Sequence, residues 1–313
     1  LILITGGNGF IGRSLRAFLE GRGMPFRALS RNPNPGCIAV GDITHTHDWS
    51  GLLDGVDVVI HLAGRAHVLK EKADPVLAFK AINVDATLKL AREAAGAGVR
   101  RFVFVSSIKA CGGQSHPGKP FMADDVARPV DDYGRSKFEA EQRLFQLGQE
   151  TGMEITVVRP PLVYGPDVPA NFALMLKWAG SGLPSPFGAI NNKRSLVYVG
   201  NLCDLLVRLT DDPHAVGQIF LVSDGVDFST EELFSRLARL QGKKPVNLPV
   251  PNAVLAGILQ LIGKSAYQER LLANLQVDIG KTCRLLQWMP PISPEEGLRV
   301  TVESFKSRTE ARN

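Results

Sequence analysis

Cysteine is scarce in this 313-residue chain: Cys37, Cys111, Cys203 and Cys283 are all there are, and no two form a C-x-x-C pair. That spacing points to neither a disulfide framework nor a zinc site, and a reducing, cytoplasmic compartment becomes the default. An apolar run of the roughly 20 residues needed to cross a bilayer is also missing. The most hydrophobic stretch, residues 254–262, is much shorter and is expected to be an amphipathic helix. No signal peptide is visible, and since the chain opens on an apolar run without a methionine, a short N-terminal stub is expected ahead of Leu1. There is no internal repeat and no low-complexity segment. Lys and Arg outnumber Asp and Glu by 36 to 31, a net charge of +5, yet they are scattered without a long basic run. Such a distribution favours a solvated surface over a nucleic-acid footprint. His45 and His47 form an H-x-H without further ligands nearby, which leaves no metal site in prospect. Neither nucleic acid nor membrane is an expected partner.

What is present starts at the first residue. Residues 1–4 (LILI) are an apolar, partly β-branched run of the kind that makes a buried parallel strand. The run leads into Gly6, Gly9 and Gly12, spaced G-x-x-G-x-x-G, and then into a helical pattern carrying Ile11, Leu15, Phe18 and Leu19. In that order each glycine has a use. Gly6 permits the tight turn off the strand, Gly9 lets a pyrophosphate approach the backbone, and Gly12 lets the helix pack close to the sheet. The helix start then offers free N–H groups and a positive dipole end to phosphate. A strand before and a helix after separate a nucleotide-binding loop from a plain turn.

A second strand over residues 25–29 ends at Ser30-Arg31-Asn32. Dinucleotide folds that prefer NAD carry an acid there for the ribose 2′-OH, whereas a nearby Arg suits the 2′-phosphate of NADP. No Asp or Glu lies between Glu20 and Asp42, so Ser30 and Arg31 lean toward NADP(H), with NAD(H) as the alternative. Strands are predicted over 37–41, 56–62 and 101–105, with a long helix over 75–97 that contains Asn83. Asp42, followed by Ile43, stands at a strand end where it could meet the adenine amino group. Ala63 and Gly64 are small enough to let a cofactor approach. Alternating strands and helices argue for an α/β, doubly wound parallel sheet, with ligands beyond the carboxyl ends of its strands, where Ser106 and Ser107 must lie. After a loop rich in Gly, Pro and Asp (112–132), Tyr133 and Lys137 open a helix at i and i+4, on one face. A neighbouring ammonium is expected to lower the tyrosine pKa from about 10 toward the working range, as suits a general acid or base.

Taken together, TGGNGFIG (5–12), GDI (41–43), HLAG (61–64), NVDAT (83–87), FVSS (104–107), YGRSK (133–137), RPPLVYGP (159–166) and RSLVYVGNL (194–202) resemble the extended short-chain dehydrogenase/reductases. Within these, the likeness is to the NAD(P)-dependent sugar epimerases and dehydratases. The resemblance implies a Rossmann-type cofactor domain over 1–165 and a smaller C-terminal substrate-binding lobe over 166–313, interleaved with late elements of the sheet. It implies that Ser107 hydrogen-bonds the reacting oxygen, that Tyr133 transfers the proton, and that Lys137 holds the nicotinamide ribose and tunes the tyrosine. Phe10, Ile11, Leu62, Asn83, Val105, Pro160 and Pro161 fall at cofactor-contacting positions. Lys109, Asn171 and Arg194 fall at substrate positions, and a guanidinium suits a diphosphate because its planar fork bonds phosphate oxygens in pairs.

Two departures matter. Sugar 4,6-dehydratases carry an acid pair after the catalytic hydroxyl, where this chain has Ile108 and Lys109, so dehydration is not expected. Leu162 replaces an Asn often found in UDP-galactose 4-epimerases. The nearest resemblance, through VSSIKACGG, is to a bacterial surface-polysaccharide subgroup. The implied activity is NADPH-dependent reduction of a UDP-4-keto-6-deoxy-N-acetylhexosamine in O-antigen synthesis, by a homodimer. The alternatives are a UDP-glucose or UDP-N-acetylglucosamine 4-epimerase holding NAD tightly, and a non-catalytic NADP-sensing regulatory protein. In the second half, strands are predicted over 196–199 and 218–222 and helices over 230–240, 252–262, 277–287 and 294–307. Thr230 and Ser293-Pro294 serve as helix-start signals.

Overall fold

The computed structural model describes residues 1–44, 48–65, 74–261, 263 and 265–310. His45 and His47 lie outside the described residues. The chain runs β1 (Ile2–Thr5), α1 (Phe10–Glu20), β2 (Phe26–Ser30), β3 (Ile38–Ala39), α2 (Ser50–Leu53) and β4 (Val58–His61). The helix predicted over 75–97 is a continuous run in three parts: α3 (Pro75–Phe79), a π-helical segment (Lys80–Ala86) and α4 (Thr87–Gly96). β5 (Arg101–Val105), α5 (Asp132–Thr151) and β6 (Glu154–Arg159) complete the first half. Seven strands form one parallel sheet in the order β3-β2-β1-β4-β5-β6-β9, with β9 (Ile219–Leu221) supplied from far downstream. The chain winds outward from β1 in one direction and then returns to the other side through β4. A crevice therefore opens beyond the carboxyl ends of β1 and β4, where the winding reverses.

Side-chain alternation divides the core between the two faces of the sheet. Leu3, Val59, Phe102, Phe104 and Val157 point to the face covered by α4 and α5 through Leu88, Ala91, Ala140 and Leu144. Ile4, Ile60, Val103 and Val158 point to the other, covered by α1 through Leu15 and Leu19. Each fully buried Leu or Phe is worth about 1.5–3 kcal/mol over its exposed state, which explains why these strands read as unbroken apolar runs.

A second, three-stranded sheet, ordered β10-β8-β7, is built from β7 (Leu162–Tyr164), β8 (Arg194–Tyr198) and β10 (Asp227–Phe228). The helices of the second half are α6 (Ala170–Ser181), α7 (Val199–Asp211), α8 (Thr230–Leu240), α9 (Asn252–Leu261), α10 (Ser265–Leu272), α11 (Gly280–Leu286) and α12 (Pro294–Glu310), of which α7 packs on α1 and α11 on β9 of the large sheet. Two predicted starts shift. Ser229, not Thr230, caps α8, because its hydroxyl accepts from Glu232 N at 2.9 Å while Glu232 reaches back to Ser229 N at 2.7 Å. The helix predicted from 277 begins at Gly280, since Val277 is held in a bridge to Phe121 and its N–H donates to Ser195 Oγ.

Candidate active site

The turn off β1 is as tight as the glycines require. Gly6 has φ of +70°, and a Cβ there would lie 2.9 Å from Ala63 N. A Cβ on Gly12 would lie 2.2 Å from Gly6 O, so only glycine lets α1 come this close to the loop. Gly9 N donates to Gly6 O at 2.9 Å. The first turn of α1, which carries Phe10 and Ile11, has neither a capping side chain nor an acidic residue. Its N–H groups and dipole are thus left for an anion. This backbone cradle, which any Cβ would fill, fits the pyrophosphate of a dinucleotide.

At the end of β2 the Ser30 hydroxyl turns back on its own loop and donates to Asn32 O at 2.7 Å. Arg31 stands 3.8 Å from the Asp42 carboxylate, with both side chains partly exposed. Asp42 also accepts from Thr44 N and Oγ1, and Ile43 packs against the core. The structure thus joins the two expected adenosine-side charges in one pair. Arg16 adds a second cation nearby, donating to Cys37 Sγ at 3.1 Å and Pro35 O at 2.8 Å.

Beyond β5 the three expected catalytic side chains meet. Ser107 caps a short 3-10 turn over Ile108–Ala110, accepting from Lys109 N. Tyr133 sits in the first turn of α5, whose cap Asp131 accepts from Gly134 N at 2.7 Å. A Cβ on Gly134 would lie 2.4 Å from Lys109 O, so glycine at this position lets the helix start abut the serine turn. Ser107 lies close enough to the Tyr133 phenol to act on its titration. Lys137, one turn on, is buried, donates to Val105 O at 2.8 Å and lies 4.0 Å above the Phe104 ring. Its burial pulls its pKa down to about 7, against the pull of Glu141. The Tyr133 phenol is displaced upward, opposite to the expected lowering. Burial outweighs the effect of Ser107, and Asp131 pushes the same way.

Asn83 holds the neighbouring loop. From the π-helical segment its amide accepts from Arg65 N at 2.8 Å and donates to Arg65 O at 3.0 Å and Ser136 Oγ at 2.9 Å. A Cβ on Gly64 would meet Asn83 Oδ1 at 3.2 Å and Lys137 Nζ at 3.7 Å, which brings the ends of β1, β4 and β5 to one place. Beneath them His61 is buried between Thr5 Oγ1 at 2.8 Å and Thr87 Oγ1 at 3.0 Å. Burial and the Lys137 charge hold its pKa down to about 3, and the ring stays neutral. Leu62 packs on the core, and Pro160 O accepts from Ile108 N, tying the buried Pro160-Pro161 pair to the serine turn.

On the expected sugar side, Lys109 is paired with Glu269 and lies 3.6 Å from Asp131. Arg194 donates to Ala273 O at 2.8 Å and Glu269 O at 3.3 Å, and burial lowers its pKa to about 10. Both cations therefore converge on α10. Asn171 lies in the first turn of α6, and no described hydrogen bond joins it to Arg194 or Lys109. Sequence reasoning missed Glu141, Arg159 and Cys111. Arg159 makes a buried pair with Glu141 (Nη2 to Oε2, 2.5 Å) and donates to Cys111 Sγ at 3.3 Å. The available signal was the spacing, since Tyr133, Lys137 and Glu141 repeat at i+4. Among the described residues no cluster of His, Cys, Asp or Glu could hold a metal, and all four cysteines are free.

Comparison with known proteins agrees with this geometry. A family model described as the NAD dependent epimerase/dehydratase family matches residues 2–223. A protein of Vibrio cholerae named UDP-glucose 4-epimerase is 42% identical over 311 residues, covering 97% of this chain and 95% of that one. Among solved structures, UDP-glucuronic acid 4-epimerase of Bacillus cereus in complex with NAD is 21% identical with a TM-score of 0.77, covering 98% of this chain and 99% of that one. RMD of Pseudomonas aeruginosa, complexed with NADPH, is 22% identical with the same score and coverages. These two likenesses concern the fold.

Proposed function

The chain belongs to the NAD dependent epimerase/dehydratase family, and from that premise we propose that it carries out redox chemistry at C4 of a UDP-linked sugar. The direction we favour is reduction of a UDP-4-keto-6-deoxy-N-acetylhexosamine with NADPH, a step suited to surface-polysaccharide synthesis. The observation that carries the reading is the neighbouring Ser107 and Tyr133, with Lys137 buried one turn further along α5 and bonded to Val105 O at the carboxyl end of the sheet. The glycine loop, Arg31, Asp42 and Lys137 are the groups suited to hold the dinucleotide, whose nicotinamide supplies or accepts the hydride.

Ser107 and Tyr133 both donate to the sugar O4, where negative charge develops, so the transition state gains more from them than the ground state does. Tyr133 passes its proton to O4, and a charged Lys137 stabilises the phenolate left behind. Ile108 is buried and Lys109 is a cation engaged by Glu269 and Asp131, so the two positions after Ser107 supply no carboxyl pair to remove water across C5 and C6. That supports reduction or epimerisation over dehydration.

Reduction is supported by the end of β2, where the sequence offers Ser30 and Arg31 and no acid of its own for a ribose 2′-OH, the Asp42 carboxylate reaching Arg31 from beyond β3 at 3.8 Å. Epimerisation is the second reading, favoured by the name and identity of the Vibrio relative. To separate them, the purified protein is denatured and the released cofactor identified, and NADPH oxidation is followed with a 4-ketosugar. NADPH turnover with an initially empty site supports reduction; stoichiometric bound NAD with UDP-glucose interconversion supports epimerisation. In both, Tyr133→Phe should lower kcat about 10²–10⁴-fold with cofactor affinity kept. Near wild-type turnover in that variant would overturn the assignment of Tyr133.

A further inference from the structure

Charge gathers just after Ser107 and just before Tyr133. The amide of Lys109 donates to Ser107 Oγ at 3.2 Å, so its side chain starts from beside the reacting hydroxyl. Asp131 stands two residues before Tyr133 and acts on the titration of its phenol. One Asp131 oxygen accepts from Gly134 N, and the other lies 3.6 Å from the Lys109 ammonium. A second carboxylate, that of Glu269 on α10, pairs with the same ammonium. Two acids thus share one cation, which leaves the trio net negative.

The arm that brings Glu269 here is anchored on both sides. At the end of α10, Leu271 O accepts from Asn192 Nδ2 at 3.0 Å and from Thr230 Oγ1 at 2.6 Å. Ala273 O accepts from Asn192 Nδ2 as well, and from Arg194. Glycine at 113 leaves room for the carboxylate: a Cβ there would stand 3.4 Å from Glu269 Oε1 and 2.8 Å from Val130 Cγ2. Arg194 also feels the Glu269 charge, but its guanidinium is the group suited to the diphosphate. Lys137 lies buried on Val105 O and serves the phenolate.

We propose that Lys109, Asp131 and Glu269 together make the site select sugars whose C6 group is uncharged, a methyl or hydroxymethyl, and reject those with a C6 carboxylate. The inference rests on the reading that Ser107 and Tyr133 hold the sugar O4. C6 is then a single ring atom away from the held carbon, close to the turn and the helix start that carry the trio. A uronate carboxylate arriving there finds the Lys109 ammonium already balanced and two like charges beside it. Such juxtaposition is costly at an interface that excludes water. A site built for uronates needs the reverse, a cation with no carboxylate of its own.

The test measures binding of UDP, UDP-glucose and UDP-glucuronate to the cofactor-loaded full chain by calorimetry at low salt. The two sugars differ only at C6, so the ratio of their affinities isolates that group. All three side chains are partly exposed, and screening limits the expected preference for UDP-glucose to about tenfold. Glu269→Gln should bring the ratio close to one, and Lys109→Met, which leaves both carboxylates unbalanced, should widen it. A general loss of binding in either variant cancels from the ratio. Half-molar salt should narrow the ratio in the wild type, without any substitution. Equal affinities in the wild type, or a ratio that Glu269→Gln leaves unchanged, overturns the inference. Failure of UDP and UDP-glucose alike to bind would overturn the UDP-sugar reading, and the inference with it.

Discussion

At the scale of single residues, Lys137 has a conflict built into it. Its ammonium serves the proposed chemistry only when charged, yet the unliganded protein buries it and pulls its pKa to about 7 from 10.5. Between those two values the unfolded chain binds more protons than the folded one, so stability climbs as pH rises and falls away as pH drops toward 7. Lys137→Met removes that dependence. The stability of the wild type relative to this variant, measured by urea unfolding without cofactor, should therefore rise from pH 7 to 10, at a slope approaching about 1.4 kcal/mol per pH unit. A flat difference would mean that the folded lysine titrates normally. The raised phenol of Tyr133 belongs to the same argument. With the Lys137 pKa drawn down to about 7, a phenolate formed on Tyr133 would favour the charged lysine. Spacing alone placed the two side chains on one face of α5, but it carried no information on how deeply they would be buried.

The element that organises the site is α5. Its inward stripe continues past Tyr133 and Lys137 to Glu141, which pairs with Arg159 from the end of β6. Both side chains are buried, so removing one partner strands the other charge. Glu141→Gln should cost about 3–5 kcal/mol in urea unfolding, and adding Arg159→Met should recover a large part of that loss. Additive costs would mean that the two charges do not depend on each other. The pairing was illegible in the sequence because its members lie on different elements: spacing puts Glu141 on the face of Tyr133 and Lys137 but carries nothing about Arg159. The glycine loop was legible for the opposite reason: a turn with φ of +70° and a 2.2 Å approach allow one residue type, so geometry leaves its mark at each position. The π-helical segment falls between these cases. The helix was foreseen, but not the wider turn over Lys80–Ala86 that carries Asn83 to the backbone of Arg65.

For the whole molecule the nucleotide should act as a stabiliser. A ligand bound by the folded state alone, at one hundred times its Kd, adds about 2.7 kcal/mol. If Arg31 receives a 2′-phosphate, NADPH should raise the melting temperature more than NADH at equal concentration, and Arg31→Glu should abolish the difference while sparing the NADH effect. Equal losses with both cofactors would remove Arg31 from that role. The parallel sheet and its winding were readable from the alternation of apolar runs with helical periods. The small sheet was harder to read, since β7 and β10 are too short to show a period.

The late arrival of β9 has a consequence for the chain while it is being made. β6 receives its outer neighbour only from residues 219–221, after β7, α6, β8 and α7 have been synthesised. At about 5–20 residues per second, the ribosome leaves that edge bare for several seconds. The edge is no ordinary rim: residues 155–159 are fully interior in the finished protein, and in the nascent one they present unpaired N–H and C=O groups flanked by apolar side chains. Any other unfinished strand in the cell is a competitor for it during that interval. The topology that puts a crevice at the centre of the sheet thus carries a hazard during synthesis, one that no change at the active site would relieve.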